Sequence, residues 1–309
     1  MPGPITITSA PCCWGVDDIT NPHLPAWEAV FDDAAAAGFG GLELGPYGYV
    51  PLDVARVSDS LAQRGLSIVA GTIFDDLVSR ENRQALVSQT HDICAFITAL
   101  PKPASHSGQR FDAPYLTVMD WGHDIRDYSA GHSELAVRLL RDDWAGMMEN
   151  IRQIAQVARD DYGVRAVIHP HAGGYIEFAD ELAQLAGDIA HDLAGLCLDT
   201  GHLAYSGMDP VATLTRYWDR VDYIHFKDID PIVYDQVMAM RIRFFDACAK
   251  GVMCPIGQGN IDYAAIRDVL FDKGYGGYIT IEQERDPRNV TSILDDLAAS
   301  RSFLQKTGF

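Results

Sequence analysis

The sequence has few basic residues for its length. Its 24 lysines and arginines stand against 43 aspartates and glutamates, which gives a formal net charge of −19. A surface with this charge repels the phosphates of nucleic acids and the headgroups of anionic lipids. The composition therefore argues against nucleic acid and membrane partners, and it is better suited to a small neutral substrate.

Paired cysteines and long apolar runs are also missing. The six cysteines contain no CxxC spacing, so the pattern predicts neither a zinc knuckle nor a disulfide framework and favours a reducing compartment. No apolar run approaches the roughly 18 residues of a membrane span, and the first residues lack the basic and hydrophobic regions of a signal peptide. We therefore expect a cytoplasmic protein.

Four apolar runs in the second half of the chain stop at residues that can bind a metal or transfer a proton. The runs are residues 164–168, 196–198, 221–224 and 278–281, and they are followed by His169 with His171, Asp199 with His202, His225 with Lys227, and Glu282 with Glu284. Helical patterns lie between most of them. This order predicts a (β/α)8 TIM barrel, in which all strands open their carboxyl ends on one face.

The rest of the chain fits the same α/β fold. A barrel of about 250 residues forms one domain, so we expect residues 1–309 to be a single TIM-barrel domain. The other predicted strands are 5–7, 41–44, 66–71 and 115–119. The predicted helices are 27–37, 53–64, 81–100, 135–162, 177–186, one beginning at 209–210, 262–273 and 291–306. We expect residues 231–259 to form an inserted helix and loop that cover the site, because this connection is unusually long.

The set His169, Asp199, His225 and Glu282 has the composition of a divalent-metal site. Carboxylate and imidazole ligands without thiolate point to manganese, cobalt or magnesium, and zinc would also fit. Each residue taken alone could be a buried, hydrogen-bonded polar group. Their positions on successive strand ends favour the metal.

Proton transfer beside such a metal needs an acid and a base. His202 could give a proton to a departing hydroxyl. Lys227 could stabilise an oxyanion, act as a base if burial lowers its pKa, or simply pair with Asp228 or Glu284. We expect Trp14 at the barrel mouth as a substrate contact. Glu43 stands in an apolar run and is either a substrate-binding carboxylate or a buried, hydrogen-bonded group.

Several of these stretches resemble the xylose isomerase-like TIM barrels, which include sugar isomerases, ketose 3-epimerases and inosose dehydratases. The resemblance to the dehydratases is strongest, and it extends from about residue 10 to residue 290. It rests on APCCWGVDD, AGFGGLELGPYG, RGLSIVAGTIFDDL, HPHAGGYIE, LDTGHLAYSGMDP, IHFKDID, FFDACAKGVMCPIGQGNIDY and GYITIEQERDP.

The resemblance implies a divalent metal, often manganese or cobalt, and a polyol or sugar ketone such as 2-keto-myo-inositol as the substrate. Asp199, His225 and Glu282 match metal-ligand positions, and His202 matches a substrate-contacting one. The epimerases have a glutamate where this chain has His169, and that glutamate is also their acid/base group.

The histidine at this position favours a dehydratase, with Lys227 or His171 as the base, and leaves a sugar isomerase or 3-epimerase as the alternative. His169, His171 and Glu177 together resemble the strand-five segment of the dehydratases, and which of them reaches the metal stays open. Glu177 is also expected to bind substrate. Family barrels often self-associate, so a homo-oligomer is also expected. Residues 101–133 match no known segment, and a difference in substrate would arise there.

Overall fold

Eight parallel strands close into a barrel, which confirms the predicted TIM-barrel fold. The structure is a computed structural model that describes residues 3–289 and 292–309. The barrel strands are β1 (Ile5–Ser9), β2 (Leu42–Glu43), β3 (Ile68–Asp75), β4 (Tyr115–Asp120), β5 (Arg165–Ile168), β6 (Gly195–Asp199), β7 (Val221–Phe226) and β10 (Gly277–Ile281). Around the barrel β1 pairs with β10, β10 with β7, and the remaining strands follow in reverse chain order back to β1. A separate antiparallel pair is formed by β8 (Asp228–Ile229) and β9 (Met253–Cys254).

Helices connect the strands on the outside of the barrel and at its upper end, where the strands finish. They are α1 (Trp27–Ala36), α2 (Val54–Arg64), α3 (Arg83–Ala99), α4 (Asp124–Asp127), α5 (Arg141–Tyr162), α6 (Ala179–Asp188), α7 (Thr200–Tyr205), α8 (Pro210–Tyr217), α9 (Pro231–Met240), α10 (Phe244–Ala249), α11 (Tyr263–Asp272) and α12 (Ile293–Thr307). The predicted start of the last helix, at residue 291, lies outside the described residues. No helix within the described ranges is long and apolar enough to cross a membrane.

The alternation of side chains along each strand builds the barrel interior in layers. Tyr223 lies in a small, largely apolar cluster inside the barrel and stacks on Tyr115, with ring centroids 4.8 Å apart. Two residues further along β7, His225 points to the same side at the next level, and Lys227 continues that row. Alternate residues of β7 therefore place polar side chains inside the barrel, from its packed lower part up to its open upper end.

Residues 101–114 cover the lower end of the barrel, where the strands begin. His106 Nε2 lies 2.9 Å from Thr6 Oγ1, and the Tyr278 hydroxyl donates to the Ala104 carbonyl at 2.8 Å. Gly276 packs so closely against this loop that a Cβ there would lie 1.9 Å from the Ser107 carbonyl oxygen. This half of the unmatched 101–133 region therefore lies at the end of the barrel opposite the predicted site, and only its second half follows a strand end.

The helix predicted from residue 135 begins later, at Arg141. Residues 136–140 are not helical, and Leu140 is 76% exposed. The carbonyl of Val137 accepts from Arg126 Nη1 at 3.1 Å, and that of Ala136 accepts from Arg138 Nη1 at 3.1 Å. Arginine side chains thus bind carbonyls that helical amides would otherwise use, and the segment stays extended.

The long connection after β7 lies over the upper end of the barrel, as predicted, but it contains two short helices instead of one. Helix α9 and helix α10 flank a turn at Arg241, which has a positive φ of 52°. Phe244 of α10 contacts the rings of both His171 and His202, with centroid separations of 5.1 and 5.0 Å. The insertion therefore encloses the strand-end histidines with apolar surface.

Candidate functional site

Four of the predicted residues meet at the upper end of the barrel. His169, Asp199, His225 and Glu282 each present one donor atom, and these four atoms all lie within 4.8 Å of one another. Three of the side chains are essentially buried, and the Glu282 side chain is 11% exposed. Each residue lies within one position of the end of its strand, so the geometry follows directly from the parallel barrel.

The distances between donor atoms suit one divalent ion. Nδ1 of His225 lies 3.2 Å from Glu282 Oε2 and 3.9 Å from Asp199 Oδ2, and His169 Nε2 lies 3.6 Å from the same aspartate oxygen. Ligands held at about 2.1 Å from one ion in a tetrahedral arrangement lie about 3.4 Å apart. The four side chains could therefore hold a metal without rearranging the strands.

Most of these atoms make no hydrogen bond among the described residues. Both ring nitrogens of His169, Nδ1 of His225 and Oδ2 of Asp199 are buried and make no hydrogen bond within the described part of the chain. The second oxygen of Asp199 is used, because Oδ1 accepts from the His202 amide at 2.8 Å and caps helix α7. Buried polar atoms without partners are costly, so this set of donors has the character of a binding site for a cation.

Glu43 does not belong to the set of four donors but contacts one of them, His225. Its Oε1 accepts from His225 Nε2 at 2.8 Å and from the Tyr223 hydroxyl at 2.8 Å. A carboxylate in this position fixes which histidine nitrogen carries the proton and leaves the other, Nδ1, as the ligand atom. Of the two interpretations of Glu43, the buried and hydrogen-bonded one describes these contacts, although the side chain also borders the cavity described below.

Lys227 lies at the centre of a buried charge cluster. Its Nζ contacts Glu284 Oε1 and lies 3.1 Å from Glu282 Oε2 and 3.4 Å from Asp199 Oδ2. Burial alone would lower the pKa of Lys227, but the charges of Asp199, Glu284 and Glu282 outweigh it and raise the pKa well above its ordinary value. Of the two predicted pairings, Glu284 is therefore the one formed.

Two local features make room for this lysine. A Cβ at Gly201 would lie 2.6 Å from Lys227 Cγ, so the glycine of the LDTGH stretch lets the side chain cross helix α7. The other predicted partner, Asp228, accepts instead from the amides of Gly257, Gly259 and Ile261 at 2.8 to 3.2 Å. Asp228 thus shapes the loop after β9 and leaves Lys227 to the acidic cluster.

The peptide of Ala172 joins His171 and His202. His171 Nδ1 lies 2.9 Å from the Ala172 carbonyl oxygen, which can only accept, so this nitrogen carries a proton and Nε2 has a free lone pair. The Ala172 amide donates to His202 Nδ1 at 3.1 Å, which leaves His202 Nε2 as the proton-bearing nitrogen of the neutral ring. That Nε2 lies 2.9 Å from Lys227 Nζ, close enough for proton exchange between the two nitrogens.

The two imidazoles are buried and lie nearly against each other, with ring centroids 4.1 Å apart. Burial lowers the pKa of His171 well below its ordinary value, and the neighbouring His202, His169 and Lys227 lower it further. Burial and Lys227 likewise lower the pKa of His202. Both rings are therefore neutral over the ordinary pH range.

Glu177, predicted to bind substrate, instead supports the loop that carries His171. Its carboxylate accepts from the amides of Gly131 and Gly173 at 2.7 and 3.0 Å and from Ser206 Oγ at 3.1 Å. Arg126, fully buried, lies 3.4 Å from the same carboxylate. The residue precedes α6, which begins two residues later than the sequence pattern predicts, and this leaves Glu177 free to fold back onto the loop.

Trp14 is likewise a packing residue in this structure. Its indole is 2% exposed, lies in the main hydrophobic core, and donates from Nε1 to Asp33 Oδ2 of helix α1 at 3.0 Å. The loop turns after Trp14 at Gly15, and it is Cys12 and Asp17 of this loop that face the cavity. The first loop therefore contributes to the site through residues other than the one predicted.

A cavity of about 340 Å³, the inner chamber, opens beside the four donors. Its lining residues with polar side chains are Cys12, Asp17, Glu43, Tyr47, Thr72, Gln89, His171, Glu282 and Glu284. Glu284 Oε2 is buried and has no hydrogen-bond partner in the described ranges. Burial and the nearby Glu284 raise the pKa of Asp17 well above its ordinary value.

Asp17 was missed as a site residue although its signal resembles that of Asp199. It is a carboxylate in the loop that follows a strand, but seven residues separate it from the strand end, and four of them form a 3-10 turn at Pro11–Trp14. The histidines of the loop after β4 make other contacts: His123 Nε2 lies 3.0 Å from Asp120 Oδ1, and His132 lies 3.4 Å from Glu134.

Known proteins resemble this chain over nearly its whole length. The inosose dehydratase of Clostridium perfringens is 27% identical over 307 residues, which cover 96% of both chains. A structure of the IOLI protein with a bound zinc atom superposes with a TM-score of 0.71 at 11% identity, covering 98% of this chain and 97% of the other. A structure of L-ribulose 3-epimerase superposes with a TM-score of 0.69 at 18% identity, covering 98% and 94%.

These solved structures share the fold with this chain, and the sequence match extends to an enzyme family. The family described as "Xylose isomerase-like TIM barrel" matches residues 31–307, which include all four candidate metal ligands. The protein therefore belongs to the xylose isomerase-like TIM barrel family.

Proposed function

We propose that the protein is a divalent-metal-dependent lyase that removes water from a polyhydroxy ketone such as 2-keto-myo-inositol. The observation that carries the proposal is the Ala172 peptide, whose two hydrogen bonds give His171 and His202 opposite proton roles. An elimination needs a base for the α-proton and an acid for the departing hydroxyl. The similarity to inosose dehydratases over 96% of the chain supports the same reaction class.

A divalent ion, with manganese or cobalt as the first choice, would be held by His169, Asp199, His225 and Glu282 and would polarise the ketone and stabilise the enediolate. His171 is the proposed base, because it borders the cavity and its Nε2 has a free lone pair. Lys227 is the weaker candidate, since its side chain is fully buried behind Glu284 and His202.

The proton balance follows from these roles. His171 Nε2 takes the α-proton, and the C–H electron pair forms an enolate with its charge on the ketone oxygen. As the ketone re-forms, that electron pair becomes the new C=C bond and the C–O bond to the β-hydroxyl breaks. His202 Nε2 gives its proton to the departing hydroxyl, which leaves as water, and regains a proton from the Lys227 ammonium 2.9 Å away. The enol that remains tautomerises to a dione.

The test is the reaction of 2-keto-myo-inositol with manganese-loaded protein, followed by ultraviolet absorbance of the dione and by exchange of the α-proton in D2O. The wild type should form the dione, chelator should abolish this, and manganese should restore it. His171→Asn should lose both exchange and water loss, whereas His202→Asn should keep exchange and lose water loss. His191→Asn, the same change at the lower end of the barrel, should behave as the wild type.

Two results would contradict the proposal. An isomeric ketose formed without water loss would identify a sugar isomerase or 3-epimerase, and the L-ribulose 3-epimerase with the same fold makes this the second candidate. Full dione formation by His171→Asn would refute the assignment of the base and return that role to Lys227.

A further inference from the structure

A second cavity, the outer chamber, joins the inner chamber at the barrel mouth. It measures about 650 Å³, nearly twice the 340 Å³ of the inner chamber. The two share Asp17, Pro46, Tyr47, Phe74 and Phe245 as lining residues. Small-molecule sites usually measure about 300–1,000 Å³, so the inner chamber alone already suits one six-membered polyol ring. A substrate of that size therefore does not need the outer chamber.

One continuous aromatic wall runs from the proposed base into the outer chamber. The ring of Phe74 lies 4.9 Å from His171 and stacks on Trp121 at 5.3 Å with an interplanar angle of 21°. Phe245 meets Trp121 edge-on at 5.0 Å. All three aromatic side chains are only partly buried by protein. The C–H faces of a sugar ring are weakly positive and pack well against the negative faces of aromatic rings.

The two arginines in the lining of the outer chamber are each paired with a carboxylate. Arg288 binds Asp286 through Nε at 2.8 Å, and Arg285 binds Asp296 at 3.2 Å. Asp17, at the junction of the chambers, takes part in no side-chain hydrogen bond among the described residues, and Asp18 adds a second carboxylate to the lining. Three carboxylates, those of Asp17, Asp18 and Asp286, thus stand against two arginines in this lining, although Nε of Arg285 is buried without a hydrogen bond in the described ranges. The excess of acceptors suits the hydroxyl groups of a neutral ligand better than a phosphate or carboxylate group.

We propose that the outer chamber is a binding subsite for a second, neutral, hydroxylated ring, so that the substrate is a polyhydroxy ketone that carries another sugar ring. The inference rests on the proposed function for what the inner chamber holds. The ketone ring lies in the inner chamber against His171, the second ring lies on Trp121 and Phe245, and Asp17 accepts hydrogen bonds from hydroxyls near the linkage.

The test compares the binding of myo-inositol with that of galactinol, in which a galactose is joined to myo-inositol. Neither compound has a ketone, so binding to the manganese-loaded protein can be measured by calorimetry without turnover. Galactinol should bind at least about tenfold more tightly. Trp121→Ala should remove this advantage and leave the dissociation constant of myo-inositol within about twofold. Tyr128→Ala, an exposed aromatic residue that lines neither chamber, should leave both constants unchanged.

Each outcome separates this inference from the proposed function. Equal binding of the two compounds, or loss of both by Trp121→Ala to the same degree, would overturn the second-ring subsite and leave the dehydratase proposal standing. Tighter galactinol binding by a protein that does not dehydrate 2-keto-myo-inositol would keep the subsite and refute that substrate. Binding of neither compound would overturn the subsite and leave the dehydratase proposal to its own test with 2-keto-myo-inositol.

Discussion

Buried charges occur at both ends of the barrel, and the two groups differ in whether their atoms have partners. At the lower end, Arg165 donates to Asp222 Oδ2 at 2.8 Å and to the Asp192 carbonyl at 3.2 Å, and His191 Nε2 lies 3.0 Å from Asp222 Oδ1. Both oxygens of Asp222 are thus used. At the upper end, atoms of His169, Asp199, His225 and Glu284 are buried and make no hydrogen bond within the described ranges.

Buried charged groups can thus either stabilise the fold or form a site for a ligand. A network whose donors and acceptors all match adds to the fold and has nothing left to bind a ligand. A network with several unpartnered atoms pointing at one place costs folding free energy, and the cost is recovered when a ligand binds to the folded state. The contrast predicts that the upper group governs metal binding and turnover, whereas the lower group governs stability.

The largest effect is expected for Asp199→Ala. Loss of this ligand removes several kcal/mol of charge stabilisation, so turnover should fall by more than about 10³-fold. Bound manganese, measured on the purified protein, should fall below one ion for every ten chains. The thermal midpoint of the metal-free protein should fall by only a few degrees. The change loses the cap of helix α7 and one charge beside Lys227, but it also removes a buried oxygen that makes no hydrogen bond in the described ranges, and Lys227 keeps Glu282 and Glu284. A variant that keeps full activity would refute the assignment of the site.

Asp222→Ala is the matching change at the lower end. It leaves the Arg165 guanidinium buried without its carboxylate, so the free energy of unfolding should fall by about 3–5 kcal/mol. Manganese affinity and turnover of the folded protein should be unchanged. The double variant Arg165→Met, Asp222→Ala should recover much of the loss, since no charge is then left unpaired. Urea denaturation of the wild type, the single variant and the double variant measures these free energies. Loss of manganese affinity in the folded single variant would refute the claim that the lower group governs stability alone.

The sequence predicts the unpartnered end far better than the partnered one. The four metal-site residues follow apolar strands, so the strand period and the parallel barrel suffice to bring them together. Arg165 and Asp222 stand near the beginnings of strands separated by 57 residues, and nothing local relates them. The supporting contacts of Glu177 and Trp14 were likewise not predictable, because they depend on where loops turn back and not on the strands.

Glu177 provides an intermediate case, because its carboxylate has several partners but lies next to the site loop. Burial raises the pKa of Glu177 from 4.5 to about 7, and the hydrogen bonds from Gly131 and Gly173 and the charge of Arg126 only partly offset this. The folded protein thus binds this proton more tightly than the unfolded chain. The resulting stability is fully present below about pH 4.5 and is lost as the pH rises through 7.

Glu177→Gln should therefore change the pH dependence of stability. Glutamine does not titrate, so the free energy of unfolding of the wild type, relative to the variant, should decrease between pH 5 and pH 8 by on the order of 3 kcal/mol. Urea denaturation at several pH values measures the difference. Parallel curves for the two proteins would mean that Glu177 stays charged throughout, as its hydrogen bonds from backbone amides favour.

The smallest effect is expected for Glu43→Gln. Glu43 is itself hydrogen-bonded, and it contacts His225, whose Nδ1 makes no hydrogen bond in the described ranges. Glutamine can still accept from His225 Nε2 through its carbonyl oxygen, but it has no charge with which to strengthen His225 as a ligand. Changes of this kind lower metal affinity by about 10–100-fold, which competition with a fluorescent chelator can measure. Tyr223→Phe removes the other hydrogen bond to Glu43 and keeps its charge, so its effect on metal affinity should be smaller. Equal metal affinities in Glu43→Gln and the wild type would show that the hydrogen bond alone orients His225. The charge of Glu43 would then contribute nothing to metal binding.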